Sequence, residues 1–222
     1  MRENHILQVP RSKLLKKDVF GQTVLVETAA GPVICRDARA GSIPLRWLAR
    51  RLLAREARAL AVLDGLNGIP ELHEVGTYSL TRQFLDGKPM QEAKPADLEY
   101  FHAAAKLLRQ IHRRCIVHND LAKEPNFIVA LDGRPAIIDF QLSWFAPRRG
   151  RLFRILARED VRHLLKHKRT YCPAHLTKRE KLILQNPSLL ARLWMTTGKP
   201  VYLFVTRRLM GWKDREGAGD RL

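Results

Sequence analysis

The sequence predicts an α+β chain in two parts: a small β-rich front half built around one helix, and a mainly helical back half. Three observations carry this reading. Short β-like runs crowd the region before residue 85, as in "QTVLVET" (22–28) and "PVICRD" (32–37). One long Leu/Ala/Arg stretch of helical spacing, "IPLRWLARRLLAREARALAVLDGL" (43–66), interrupts them. After "AIIDF" the pattern is helical, with breaks near Pro173, Pro187 and Pro200. Gly87, Pro89 and Pro95 cluster between the halves and place a boundary near 86–94. The front part is then 1–90 and the back part 91–222.

The elements follow in order. "AAGP" is turn chemistry, so 22–28 and 32–37 read as a hairpin. In the helix over 43–66, Arg residues fall between the apolar positions and Gly65 closes it. Two short strands are expected near 72–76 and 78–84, with "LDGKP" as the turn that follows. A second long helix is expected over 95–114. Pro95 opens it, and Leu98, Phe101, Leu108 and Ile111 make one apolar stripe. A β-rich stretch comes next: "IVHND", a loop, "NFIVA", the turn "LDGRP", and "AIIDF".

Composition bounds the function. At 222 residues and 45% hydrophobic, the chain can bury a core and is not of disordered type. Forty Lys and Arg face 22 Asp and Glu, a net charge of +18, which favours anionic partners. From Ala146 onward, 19 basic residues face 6 acidic ones, so +13 of that charge sits in the last third. Cys35, Cys115 and Cys172 have no metal-binding spacing, and the first two are expected as buried thiols in a reducing cytosol. The opening "MRENHILQVPRSKLLKK" lacks the apolar run of a signal peptide, and no stretch approaches the ~18 apolar residues of a membrane span. The expected location is cytoplasmic.

The chemistry concentrates in "HNDLAKEPN" (118–126) and "IIDFQ". Asp120 stands where a short strand enters a loop, Asn126 opens the next strand, and Asp139 ends the strand after "LDGRP". Adjacent hairpin strands bring Asn126 and Asp139 together, and Asp120 can face the same opening. A carboxylate beside an amide oxygen is a hard donor pair suited to Mg²⁺. A separate carboxylate can orient a hydroxyl and take its proton. These are the parts of phosphoryl transfer. Either half alone would equally suit a solvated turn.

Together the two segments resemble the catalytic loop and metal-binding aspartate of the protein-kinase-like superfamily. "HND" stands for H-R-D, Asn126 for the metal-binding asparagine, and "DFQ" for D-F-G. The resemblance implies a two-lobed kinase-like fold, ATP and Mg²⁺ as cofactors, Asp120 as base, and Asn126 and Asp139 as metal ligands. It also implies that Lys123 neutralises the transferring phosphate and that His118 supports the loop. One departure is plain: five residues separate Asp120 from Asn126 where the family has four, so a bulge is expected around Glu124–Pro125.

The front half is similar to a kinase small lobe. Gly21 is the one glycine at the turn of a poor glycine-rich loop. Arg36 of "VICRD" stands where the family has lysine, and Glu56, 20 residues on, stands for its helix partner. Lys16 or Lys17 could reach phosphate instead. "SLTRQFLDGKPM" resembles the strand and hinge that hold adenine. No A-P-E run or long activation segment follows Phe140, so the chain looks like the minimal kinase folds. These are the RIO-type kinases and the bacterial lipopolysaccharide-core kinases that act on 3-deoxy-manno-octulosonic acid or heptose. "REDVRHLLKHK" resembles the basic helix of the latter.

The expected acceptor is a hydroxyl on an anionic saccharide or lipid-linked substrate. "RRGRLFRILAR" and "GKPVYLFVTRRLMGWKDR" add a peripheral contact with anionic membrane, at the inner face of the cytoplasmic membrane. A serine/threonine protein kinase of RIO-like type is the alternative. A pseudokinase is another, given Arg36 for lysine and Gln141 for glycine. Nucleic acid accounts for the charge but not for Asp120, Asn126 and Asp139. The sequence does not set an oligomeric state.

Overall fold

The structure is a computed structural model, and it describes residues 12–188. The "GKPVYLFVTRRLMGWKDR" segment therefore lies outside the described residues. The chain divides into two compact units: the described residues up to Gly65 with Pro70–Phe84, and Leu66–Ile69 with the residues from Leu85 onward.

The first unit is an antiparallel sheet with one helix. Its strands are β1 (Ser12–Asp18), β2 (Gly21–Thr28), β3 (Gly31–Asp37), β4 (Leu72–Val75) and β5 (Ser79–Gln83), in the order β1-β2-β3-β5-β4. Helix α1 (Arg46–Leu63) connects β3 to β4. It begins at Arg46, because Ile43–Leu45 forms a separate 3₁₀ turn with Pro44 near its start. Ala49, Leu53 and Ala57 pack with Ala38 and Leu80, and Phe20, Leu72 and Tyr78 close the edge of this cluster. The register of β3 on β5 pairs Ile34 with Arg82 and Arg36 with Leu80. These four side chains therefore share one face of the sheet.

The second unit opens with β6 (Gly87–Pro89) and the short helix α2 (Met90–Ala93). "LDGKP" is thus not simply a turn: β6 pairs with β8 (Phe127–Ala130), which pairs in turn with β9 (Pro135–Ile137). Gly87 makes that pairing possible. A Cβ there would lie 2.4 Å from the Val129 carbonyl oxygen. Helix α3 runs Leu98–Arg113, starting three residues after Pro95. Its start is set by Asp97, whose carboxylate accepts the Glu99 amide at 3.0 Å as an N-cap. The stripe is wider than the four residues read from sequence: Tyr100, Phe101, Ala104, Leu107, Leu108 and Ile111 are all buried.

β7 (Ile116–Val117) follows and pairs with β10 (Trp144–Phe145), a ribbon not expected from sequence. Helix α4 (Arg151–Tyr171) packs its Phe153 on Val117 and Ala146 of that ribbon, and α5 (Lys178–Gln185) ends the described fold. Cys172 is the buried thiol, whereas Cys35 and Cys115 are only half-buried. Their strand and turn positions leave one side open. No helix among the described residues is long and apolar enough to cross a membrane.

Candidate active site

The segment between β7 and β8 is a stack of tight turns. The Lys123 amide reaches the Asp120 carbonyl at 3.5 Å, and the Asn126 amide reaches the Lys123 carbonyl at 3.3 Å. Glu124–Asn126 is a 3₁₀ turn with Pro125 near its start. That turn absorbs the additional residue expected as a bulge. Asn126 accordingly closes the turn before β8 rather than opening the strand. Its Nδ2 donates to the Asp120 carbonyl at 2.8 Å and to Asp120 Oδ2 at 3.2 Å. Lys123 Nζ lies 3.0 Å from the same Oδ2. Both contacts fall on Oδ2.

Asp139 is brought to this loop through its neighbours. Ile138 donates its amide to the Asn126 carbonyl at 3.0 Å, and its carbonyl accepts from His118 Nε2 at 2.9 Å. His118 Nδ1 accepts the Asp120 amide at 3.3 Å, so the ring hydrogen that serves the Ile138 carbonyl sits on Nε2. The imidazole is fully buried against the Phe140 ring, with centroids 4.7 Å apart. His118 is therefore the support expected of it. Asn119 and Asp139 both have φ of +65°, a left-handed conformation that Asn and Asp adopt more readily than other non-glycine residues. Burial pushes the Asp120 carboxyl above its ordinary range; the Lys123 ammonium pulls it down by charge and hydrogen bond, and the Asp139 charge pushes it up.

The donor set fits a magnesium ion. Donation by Nδ2 orients the Asn126 amide and turns its oxygen away, and Asp139 supplies a half-buried carboxylate. No group of three or more His, Cys, Asp or Glu among the described residues makes a metal cage. Mg²⁺ needs none, since it commonly takes one or two protein oxygens and completes its shell with water and phosphate.

Sequence reasoning missed what holds the loop. "REDVRHLLKHK" was read as a basic helix, yet Glu159, Asp160, Arg162, His167 and Lys168 of α4 are buried. Asp160 accepts the amides of His118 (2.8 Å) and Asn119 (3.0 Å) and contacts His112 Nε2 at 3.2 Å. His167 Nε2 bonds the Leu121 carbonyl at 2.8 Å, and Tyr171 donates to Glu124 at 2.6 Å. One helix thus fixes residues 118–124 at three levels. Burial holds His167 below its usual range, consistent with a neutral ring donating to a carbonyl. The available signal was a lone pair of acids, Glu159-Asp160, within a helix otherwise rich in Arg, Lys and His.

In the first unit, Arg36 Nη1 meets Glu56 Oε2 at 3.0 Å, and the Glu56 side chain is fully buried. A second arginine, not anticipated, completes the pairing. Arg82 Nε lies 3.3 Å from Glu56 Oε1, an ion pair rather than an aligned hydrogen bond. The period-2 alternation of "SLTRQ" puts Arg82 on the same face as Leu80, which could have flagged it. Gly21 is buried, and a Cβ on it would lie 2.3 Å from the Asp37 carbonyl oxygen. Close backbone packing thus accounts for glycine at this turn. Lys16 faces Asp18 at 3.8 Å, and its side chain is partly exposed.

Comparisons bear on the fold. No family model matches the chain. No curated protein matches it either. Among solved structures, it is similar to the crystal structure of the Rio2 kinase from Chaetomium thermophilum, with a TM-score of 0.61 and 14% identity. The match covers 76% of this chain and 59% of that one, so the chain spans less than two thirds of this neighbour. The fold is protein-kinase-like.

Proposed function

We propose that the protein is an ATP- and Mg²⁺-dependent phosphotransferase acting on an alcohol. The observation that carries this is the Asp120–Asn126 hydrogen bond with Asp139 held beside it through both backbone bonds of Ile138. Asp120 orients the acceptor hydroxyl and takes its proton, and its raised affinity for a proton suits a base. Asn126 and Asp139 hold the metal, which when bound supplies charge stabilisation to the phosphates. Lys123, already paired with Asp120, contacts the transferring phosphate. In the first unit, Arg36 supplies the nucleotide-contacting charge, fixed by Glu56. Arginine is a planar fork and lysine a point charge, so this contact is shaped differently from the one the family resemblance implies.

The acceptor we assign is an anionic saccharide, lipid-linked and met at the inner face of the cytoplasmic membrane. The segment after Asp139 supports this. Leu142, Trp144, Leu152 and Ile155 are large apolar side chains left exposed, and Arg148, Arg149, Arg151 and Arg154 are exposed among them. Leu142 is tied to the loop, its carbonyl accepting from Asn119 Nδ2 at 3.1 Å. Aromatic and apolar groups interleaved with arginine suit an amphiphile with an anionic head. The test gives purified protein γ-labelled ATP and Mg²⁺ with cell-envelope saccharide, lipid extract and soluble protein in separate reactions. Label is expected in the saccharide or lipid fraction, and lost with Asp120→Asn. Label confined to protein would replace this acceptor with the Ser/Thr reading.

A further inference from the structure

We infer that the outer face of α1 is a docking groove for an acidic segment of another protein, one carrying a large apolar anchor residue. The groove lies wholly within the first unit and encloses about 550 Å³. Its apolar lining comes from Trp47, Leu53, Ala54 and Val75, with Arg50 and Arg51 also in its wall. Trp47 is 61% exposed and Val75 55% exposed, large apolar surfaces left open among the described residues. A recess of this size can take a bulky side chain with some backbone.

The charge says what kind of partner fits. Trp47, Arg50, Arg51, Ala54 and Arg55 are exposed at i, i+3, i+4, i+7 and i+8, one continuous stripe of α1. The stripe holds no acidic residue, and the one acid of α1, Glu56, is buried on the opposite side. Among the described residues, Arg50, Arg51 and Arg55 make no ion pair, and Arg51 and Arg55 repel each other at i, i+4. Some basic groups elsewhere have built-in acids, as Arg134 has Asp132, Arg162 has Glu159 and Lys168 has Glu180, whereas this stripe gathers three arginines on one helix face beside an apolar recess. The helix start adds to the deficit, with no acidic residue in its first turn and Leu45 at the cap position. An anionic occupant removes these costs, and guanidinium forks match carboxylates in pairs.

The alternatives fit less well. The ends of this chain carry the wrong sign: residues 189–222 hold seven basic against three acidic residues, and 1–11 hold two against one. Nucleic acid stacks bases on open aromatic faces. Here Trp47 already carries the Arg51 guanidinium at 5.9 Å, and Tyr78 carries those of Arg39 and Arg50 at 5.7 and 5.1 Å.

The test is selection of a random 16-residue peptide library, displayed on phage, against the full chain. Enriched peptides are expected to surround one or two large apolar residues with Asp and Glu. The best of them, made synthetically and labelled, should lose at least tenfold in affinity with Arg51→Glu and with Arg55→Glu. A groove-filling Ala54→Trp should do the same, and Arg169→Glu, on exposed α4 surface, should not. Circular dichroism of each variant separates loss of binding from loss of fold. Enrichment without acidic character, or binding indifferent to all three groove variants, would overturn the proposal. So would groove-dependent binding of single-stranded RNA or phosphatidylserine vesicles with no selected peptide competing.

Discussion

Replacing Glu56 with Gln keeps shape and removes one charge, and the consequence follows from the geometry. Its carboxylate faces two guanidinium groups, at 3.0 Å from Arg36 and 3.3 Å from Arg82. The Glu56 side chain has no solvent exposure, and those of Arg36 and Arg82 have 17% and 8%. Water therefore cannot take over from the lost carboxylate. Removing one partner of a buried pair costs about 3–5 kcal/mol, because a charge stays behind uncompensated. Arg36 can turn partly to solvent and Arg82 also donates to the Gln83 carbonyl at 3.4 Å, so the lower part of that range applies. For a chain of this length, each kcal/mol moves Tm by about 2–4 °C. Glu56→Gln should then lower Tm by roughly 10 °C in a thermal melt. Arg82→Met should cost clearly less, because Glu56 keeps Arg36. In the mutant, ATP should also give a smaller stabilising shift than in wild type, since Arg36 loses its anchor. A Tm change below about 2 °C, or an Arg82→Met effect equal to that of Glu56→Gln, would refute the reasoning that this carboxylate balances both arginines.

Other outcomes follow from the second unit. Asp120→Asn should abolish transfer yet stabilise the fold at neutral pH. Burial raises the folded carboxyl above its unfolded value, so the folded chain holds more proton in that window and stability falls as pH rises through it. The advantage of Asn should vanish below about pH 4, where both states are protonated, and melts across pH read this directly. Lys123→Met removes a charge that lowers the Asp120 pKa, so the acid limb of the pH–rate profile should move to higher pH; an unmoved limb would uncouple the pair. Asp160→Ala frees one buried and one half-buried amide of the loop, each bond to a charged acceptor being worth about 1.5–3 kcal/mol. Both Tm and kcat should fall, with KM for ATP little changed, and Asp160→Glu should not restore the geometry.

Much of this was legible because local chemistry left few choices. "LDGRP" between "NFIVA" and "AIID" forces a hairpin, and the pairing continues as far as the Ile138 amide on the Asn126 carbonyl, one residue before Asp139. Arg36 and Glu56 were legible as a pair through the family resemblance, whose strand lysine and helix glutamate stand at a similar interval. The parts that escaped depend on tertiary contact. A Gly- and Pro-containing run reads as a turn, and only the approach of β8 makes "GKP" a strand. The polar residues of α4 look like a solvent face, because no sequence period shows that backbone amides of a loop lie against Asp160. The conversion of the expected bulge into a 3₁₀ turn likewise depends on Tyr171 holding Glu124 from another element.

The central claim is that Asp120, Asn126 and Asp139 form a metal-dependent phosphoryl-transfer centre. The most direct measurement is γ-phosphate release or transfer from ATP by the full chain, with and without Mg²⁺, in wild type, Asp120→Asn and Asp139→Asn. The expected result is turnover that requires Mg²⁺ and falls by about 10²-fold or more in each folded mutant. Equal turnover by all three proteins, or turnover indifferent to Mg²⁺, would contradict the claim.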